Sequence, residues 1–338
     1  MRLIICMAFC GYLLLFPARA ADAARAAMAL WARSVAPALF PFMALMPVLA
    51  GEEARGLYGR LFGRRMKKGF HLPGSAASPI AVGWIAGTPA GASAVRRAFD
   101  AGALSDRQAL TAGILASGLS PVFLVCSVGG GMFLRPAVGA RILICADAAL
   151  LGTGALFSRL PLRGALLMKN GIPRAEGKGV SVSGAVAAIL GVCGWMALFG
   201  AASSALPQGI RWIFEVSAGC DFAAKTQRPI LAAFVCGMGG ACGLCQNVSA
   251  LGTTGTGTLA LVLGKLACGA LSAGLYAAAD FALQGRVLPF MTAAFKDLFL
   301  VSAMAAFALA LGICAFAGIG TRRTGQRARK GQDIDETS

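Results

Sequence analysis

Charge is scarce in this sequence. Only 13% of its 338 residues are Asp, Glu, Lys or Arg, against about 25% in a typical soluble domain. Histidine occurs once, as His71. A single imidazole at the edge of a basic stretch excludes a multi-histidine metal centre and leaves a serine triad without a plausible base. Strict apolar–polar alternation is missing, which argues against an outer-membrane barrel. Nucleotide fingerprints are incomplete. Gly237-x-Gly239 carries Cys242 where the last glycine belongs, and Gly264-Lys265 is followed by Leu266 rather than Ser or Thr. The expectation is a protein with no catalytic residues, no cofactor and no metal.

Long charge-free runs are present instead, at 3–18, 34–51, 69–95, 108–134, 179–210, 229–264 and 298–321. Crossing a ~30 Å hydrocarbon layer takes about 20 apolar residues. These runs, with a mean hydropathy of +0.73, predict an all-α, polytopic membrane protein whose partner is the lipid bilayer. The net charge is +17, but the basic residues gather between the runs. One group is Arg55, Arg60, Arg64, Arg65, Lys67 and Lys68. A second is Arg159, Arg163, Lys169, Arg174 and Lys178, and a third is the tail from Arg322 to Lys330. That is the distribution of cytoplasmic loops, not of a nucleic-acid-binding face. Most of the 11 cysteines lie inside apolar runs, where Cys behaves as a small hydrophobe.

Along the chain, residues 3–18 read as a first span or a cleaved signal, and 20–33 as an amphipathic surface helix. Pro37, Pro41 and Pro47 bend the next span, 34–51. Residues 72–95 contain Pro73, Gly74, Pro79, Gly83, Gly87, Pro89 and Gly91. Such a segment predicts two half-helices around a turn, a re-entrant hairpin whose exposed backbone must be buried in protein or line a cavity. Spans follow at about 109–133, with Pro121 and Gly129-Gly130-Gly131 weakening it, and at 137–158. After the linker 159–179 come a span at 180–206, a partly polar piece at 211–228, a second Gly-rich run at 229–252, and spans at 259–283 and 297–319.

The two halves share an order of span, Gly-rich broken segment, span, span. This divides the chain into an N-terminal span with its interfacial helix (1–33), a first repeat (34–158), a basic cytoplasmic linker (159–179), a second repeat (180–319) and a polar, disordered tail (320–338). Odd numbers of crossings would make the repeats inverted, with a binding site between broken helices, a recurrent transporter architecture. Sidedness stays open. Re-entry of both Gly-rich segments puts the basic tail outside, whereas full crossing at 229–252 puts it inside.

The site expected from this arrangement uses backbone and neutral polar groups to hold a small polar solute: Gly87, Thr88, Pro89 and Gly91 in one half, Gly239, Gly240, Gln246 and Asn247 in the other. Gln246 and Asn247 could equally serve helix–helix hydrogen bonds. Three ionisable residues lie in apolar context. Glu215 is either a proton carrier or a membrane-edge residue paired with Arg211. Asp147 and Lys265 fall mid-span, where each is costly alone, and an ion pair between them would offset the cost. Asp280 and Asp297 lie near span ends.

Several motifs resemble those of the sporulation integral membrane protein YlbJ family, within the nucleoside-recognition (Gate) domain group. They are Trp31 with Val35-x-Pro37-x-Leu39-Phe40-Pro41-Phe42, Leu72-Pro73-Gly74, Gly87-x-Pro89-x-Gly91-Ala92, Glu215-x-x-x-Gly219, and Gly239-Gly240 through Gln246. The likeness covers roughly residues 10–315. It implies a multi-pass protein of the cell (inner) membrane in spore-forming bacteria, needed for the spore cortex. It also implies two Gate-like repeats and a transporter-like core recognising a nucleoside-like solute. Sporulation proteins or a second copy are possible partners, and a non-transporting scaffold for cortex assembly is the alternative.

Overall fold

The computed structural model describes residues 2–49, 52–160, 167–168 and 182–286. The expected span at 297–319, Asp297, the tail and most of the 159–179 linker lie outside them. Thirteen α-helices are present among the described residues, with no β-strand. They are α1 (Arg2–Leu15), α2 (Pro17–Leu30), α3 (Ala36–Leu49), α4 (Glu52–Phe70), α5 (Ala77–Ala86), α6 (Ala90–Asp100), α7 (Asp106–Leu115), α8 (Pro136–Phe157), α9 (Val182–Ser203), α10 (Val216–Lys225), α11 (Pro229–Met238), α12 (Gly240–Leu251) and α13 (Gly255–Arg286).

Four helical segments are long and apolar enough to cross a membrane: Pro136–Phe157, Val182–Ser203, Pro229–Leu251 and Gly255–Ala282. Their large apolar side chains are displayed rather than hidden. On α9, Val182, Val186 and Leu190 form an exposed stripe, while Ala185, Ile189, Val192 and Met196 face the core. A soluble surface does not tolerate such stripes; a lipid-facing one requires them.

The chain's N-terminal part begins with α1 and α2. Its two helices meet at Phe16 with a bend of 103°, just before Pro17, which suits the first turn of a new helix because its missing N–H has no partner there anyway. After α2 the helix widens into a π-helical turn, Trp31–Val35, before α3 with Pro41 and Pro47 inside it.

The hairpin expected at 72–95 is formed. Helices α5 and α6 fold back on each other around 87–89, where Gly87 takes φ +75° and the Thr88–Pro89 peptide is cis. Gly83 and Gly91, on either side of the turn, bring the two backbones into contact. A Cβ on Gly91 would lie 2.5 Å from the Gly83 Cα and 2.1 Å from the Ala116 carbonyl oxygen. No side chain fits there, so the hairpin closes around the Ala116 carbonyl.

Two expectations are corrected. The span at 109–133 is not one helix. It runs as α7, breaks at 116–120, and resumes from Pro121 into a π-helical stretch, Phe123–Met132. Ser105 starts α7 with a reciprocal capping box, its hydroxyl accepting from Gln108 N–H while the Gln108 amide oxygen accepts from Ser105 N–H. The run at 229–252 is not re-entrant. It forms a single 23-residue candidate span interrupted at Gly239, which adopts left-handed backbone (φ +84°) and ends α11 as α12 begins. In chain order, its counterpart is the break at 116–120, not the hairpin. Each broken helix precedes a long span, α8 in one half and α13 in the other, and α8, α11 and α13 pack together.

The packing at the hairpin gives a direct test. Replacing Gly91 by Ala should lower stability in detergent by about 1–3 kcal/mol, the usual cost of overpacking, read as a fall in melting temperature. Gly274→Ala, where an added Cβ meets nothing within 4 Å, should leave the melting temperature unchanged or slightly raised.

Candidate functional site

Breaking a helix inside an apolar bundle frees carbonyls at its end, and each must find a donor. At 115–118 they do. Trp84 Nε1 donates to the Leu115 carbonyl at 2.9 Å. The Ala116 carbonyl lies between Gly83 and Gly91. Lys265 Nζ donates to the Ser117 carbonyl at 3.0 Å, and Thr88 N–H donates to the Gly118 carbonyl at 3.0 Å. Ser120 then caps the next helix, its Oγ accepting from Phe123 N–H at 3.2 Å.

This packing brings the tip of the α5–α6 hairpin against the start of the helix at Pro121. The starts of α10 and α12 lie on the same space. Together they enclose a cavity of about 50 Å³, whose polar lining comes from Gly87, Thr88, Ser120, Glu215, Ser217 and Gln246. Its apolar wall includes Val35, Leu39, Phe123, Val192 and Met196. A water-sized molecule needs about 10–15 Å³ by this measure, so the space holds a few such molecules.

Glu215 is the one carboxyl group in the lining. It is 6% exposed. It caps α10, its Oε2 accepting from Ala218 N–H at 2.7 Å. Pairing with Arg211 is not what the fold uses: that guanidinium donates to the Leu206 carbonyl at 2.9 Å and the Ser204 carbonyl at 3.2 Å. Glu215 lies outside the candidate spans. Burial pushes its carboxyl above the ordinary range, while hydrogen bonds from Ser217 and Ala218 act more weakly in the opposite direction.

Of the other residues expected at the site, Gly87, Thr88, Gly239 and Gln246 line the cavity. Asn247 lies behind it and accepts a hydrogen bond from Thr88 Oγ1 through its Oδ1, joining the hairpin to α12. Gln246 Nε2 donates to Cys242 Sγ at 3.2 Å. Pro89 and Gly91 are outside the lining. Gly240 abuts the backbone of Glu215 and Val216. Asp147 and Lys265 are also outside it, and the ion pair expected between them is not a direct contact. Lys265 bonds the Ser117 carbonyl, with the Asp147 carboxylate near enough to act on it electrostatically. Asp280 pairs across helices with Arg141 at 2.9 Å.

Ser117, Ser120 and Ser217 were not anticipated. The sequence Ser117-Gly118-Leu119-Ser120-Pro121 does carry the signal, because Ser-Gly and Ser-Pro pairs mark turns.

Fold and cavity together define a multi-pass, all-α membrane protein with interrupted helices. No protein-family profile matches the chain, and no solved structure matches it. Over 123 residues it is 27% identical to the sporulation integral membrane protein YlbJ of Bacillus subtilis (strain 168). That stretch covers 36% of this chain and 30% of the relative, so the chain matches under a third of that protein's length.

The raised Glu215 pKa has a stability consequence with a definite sign. A carboxyl held above its unfolded value of about 4.5 stabilises the fold fully below that value, and the contribution is lost as pH rises through the folded value. Wild-type protein should therefore melt at lower temperature as pH is raised through this window. Glu215→Gln should flatten that part of the profile, measured by melting in detergent across pH.

Proposed function

We propose that the chain recognises or translocates a small polar solute across the cell membrane of a sporulating bacterium, using the cavity between its interrupted helices. The observation that carries this reading is convergence. Three helix starts, the tip of a hairpin and one buried acid share a single space. Ser120, Ser217, Thr88 and Gln246 bring neutral hydrogen-bonding groups to the lining. Such a lining suits a solute with hydroxyl, amide or heterocyclic nitrogen groups, of which a nucleoside is one example. The link to sporulation rests on the name of the Bacillus relative and on the motif resemblance.

The cavity is small for a nucleoside. Admitting one requires the hairpin tip to withdraw, parting Thr88 from both Asn247 and the Gly118 carbonyl. Glu215 is the group in the lining able to exchange a proton. No bond-making chemistry on the solute belongs to this reading, and neither does nucleic acid. A scaffold role is the second reading. It is favoured by the outer face of α4, where Arg60, Arg64, Arg65, Lys67 and Lys68 are all exposed.

A ligand-stabilisation screen of purified protein tests the proposal. Nucleosides, sugars, amino acids and cell-wall precursors are compared, since a ligand bound to the native state raises stability by about 2.7 kcal/mol at a hundredfold over its dissociation constant. A hit should weaken at least tenfold with Gln246→Ala, and its uptake into vesicles should lose proton dependence with Glu215→Gln. Folded protein that answers to no compound would sink the transport reading. Charge reversal on α4 that abolishes function in cells while leaving ligand binding intact would favour the scaffold.

A further inference from the structure

Lys265 is 1% exposed and lies within the candidate span Gly255–Ala282. An ammonium in that setting costs several kcal/mol unless its protons are satisfied and its charge is answered. Its head donates to the Ser117 carbonyl at 3.0 Å, at the carbonyl end of α7, where the helix dipole favours a cation. Its stem passes the other break: a Cβ on Gly239 would lie 3.7 Å from Lys265 Cε. On α8, the Asp147 carboxylate faces the same gap, with Oδ1 3.9 Å from the position of a Cβ on Gly118. The remaining titratable groups that act on Lys265 are the thiols of Cys268, on its own helix, and Cys236, on α11.

A helix carbonyl end, a nearby carboxylate and a buried junction between two breaks are the ingredients of a site for a small monovalent cation. We propose that Lys265 is the resident of that site: its ammonium is a built-in counter-cation that holds the two interrupted helices together and replaces an alkali ion or small amine from solution. The chain therefore needs no external cation to order this junction. Lys265 is a positioning residue in this account, and it acts on the cavity through the breaks that shape it.

Melting of the purified full-length protein in detergent tests this, in choline, sodium or methylammonium chloride at equal ionic strength. The wild-type melting temperature should not depend on which cation is present. Lys265→Ala removes the chain's own cation and leaves its volume open. It should melt lower and recover saturably with methylammonium or sodium, but not with choline, which is too large. Lys265→Met keeps the bulk without the charge, so it should melt lower and recover with none of them. A folded Lys265→Ala protein that no small cation restores, or a Lys265→Met protein that melts with the wild type, overturns the proposal. Where Lys265→Ala gives no folded protein, Asp147→Asn combined with Lys265→Met decides. Recovery relative to Lys265→Met alone supports the charge pairing, and failure to recover overturns it. No readout here involves transport, so the result stands apart from the solute reading.

Discussion

Four consecutive carbonyls, from Leu115 to Gly118, are the constraint around which this fold is arranged. They lie where α7 stops short, in an apolar interior that offers no water to complete them. Four different parts of the chain answer: an indole from α5, a pair of glycines that make room, an ammonium from α13 and a backbone N–H from the hairpin turn. Three of the four come from the α5–α6 hairpin, so the hairpin is held by the needs of another helix rather than by its own short length. At 10 and 11 residues, its helices are too short to be stable in isolation.

The same logic recurs at the two π-helical segments. Widening a helix leaves a carbonyl displaced from its usual partner. Ser34, within the first segment, has its carbonyl accept from Ser127 Oγ, within the second, at 3.1 Å. The second irregular stretch therefore completes a carbonyl of the first. This cross-link seats Val35 and Phe123, which stand on the two segments, in the apolar wall of the cavity. Proline, glycine and serine in these positions do not weaken a regular bundle; they build an irregular one in which each irregularity has a partner.

Much of this was legible in the residues. Long apolar runs located α8, α9 and α13 to within a few positions, even though α8 carries Arg141 and Asp147 and α13 carries Lys265 and Asp280, because lipid imposes length and apolarity together. The hairpin was legible because Gly87, Pro89 and their glycine neighbours cannot continue a helix. The break at 116–120 carried a turn signal in Ser117-Gly118 and Ser120-Pro121, but it sits inside a long charge-free run that reads as one span. The run at 229–252 could be read either way for a related reason. Glycines at 237, 239, 240 and 243 suggest a turn, yet one left-handed residue at Gly239 suffices to interrupt a helix that still runs through. Pairings were hardest. Asp147 and Lys265 look like partners by charge, but the ammonium serves a carbonyl that no linear reading would have freed. Glu215 beside Arg211 looks like an ordinary ion pair until the tertiary structure directs the arginine elsewhere.

Arg96 holds a different kind of contact. Its guanidinium bonds Asp100 at 2.7 and 2.9 Å and reaches the Leu251 carbonyl at 3.1 Å, so α6 grips the end of α12 by its backbone. A grip on main chain is indifferent to which side chain position 251 carries, but not to its neighbour. At Gly252 a Cβ would fall 2.6 Å from Arg96 Nη1, and the backbone there has φ +67°. Among descendants of this sequence, 96, 100 and 252 should then change together or not at all, while position 251 answers to the core that buries Leu251 against Gly113.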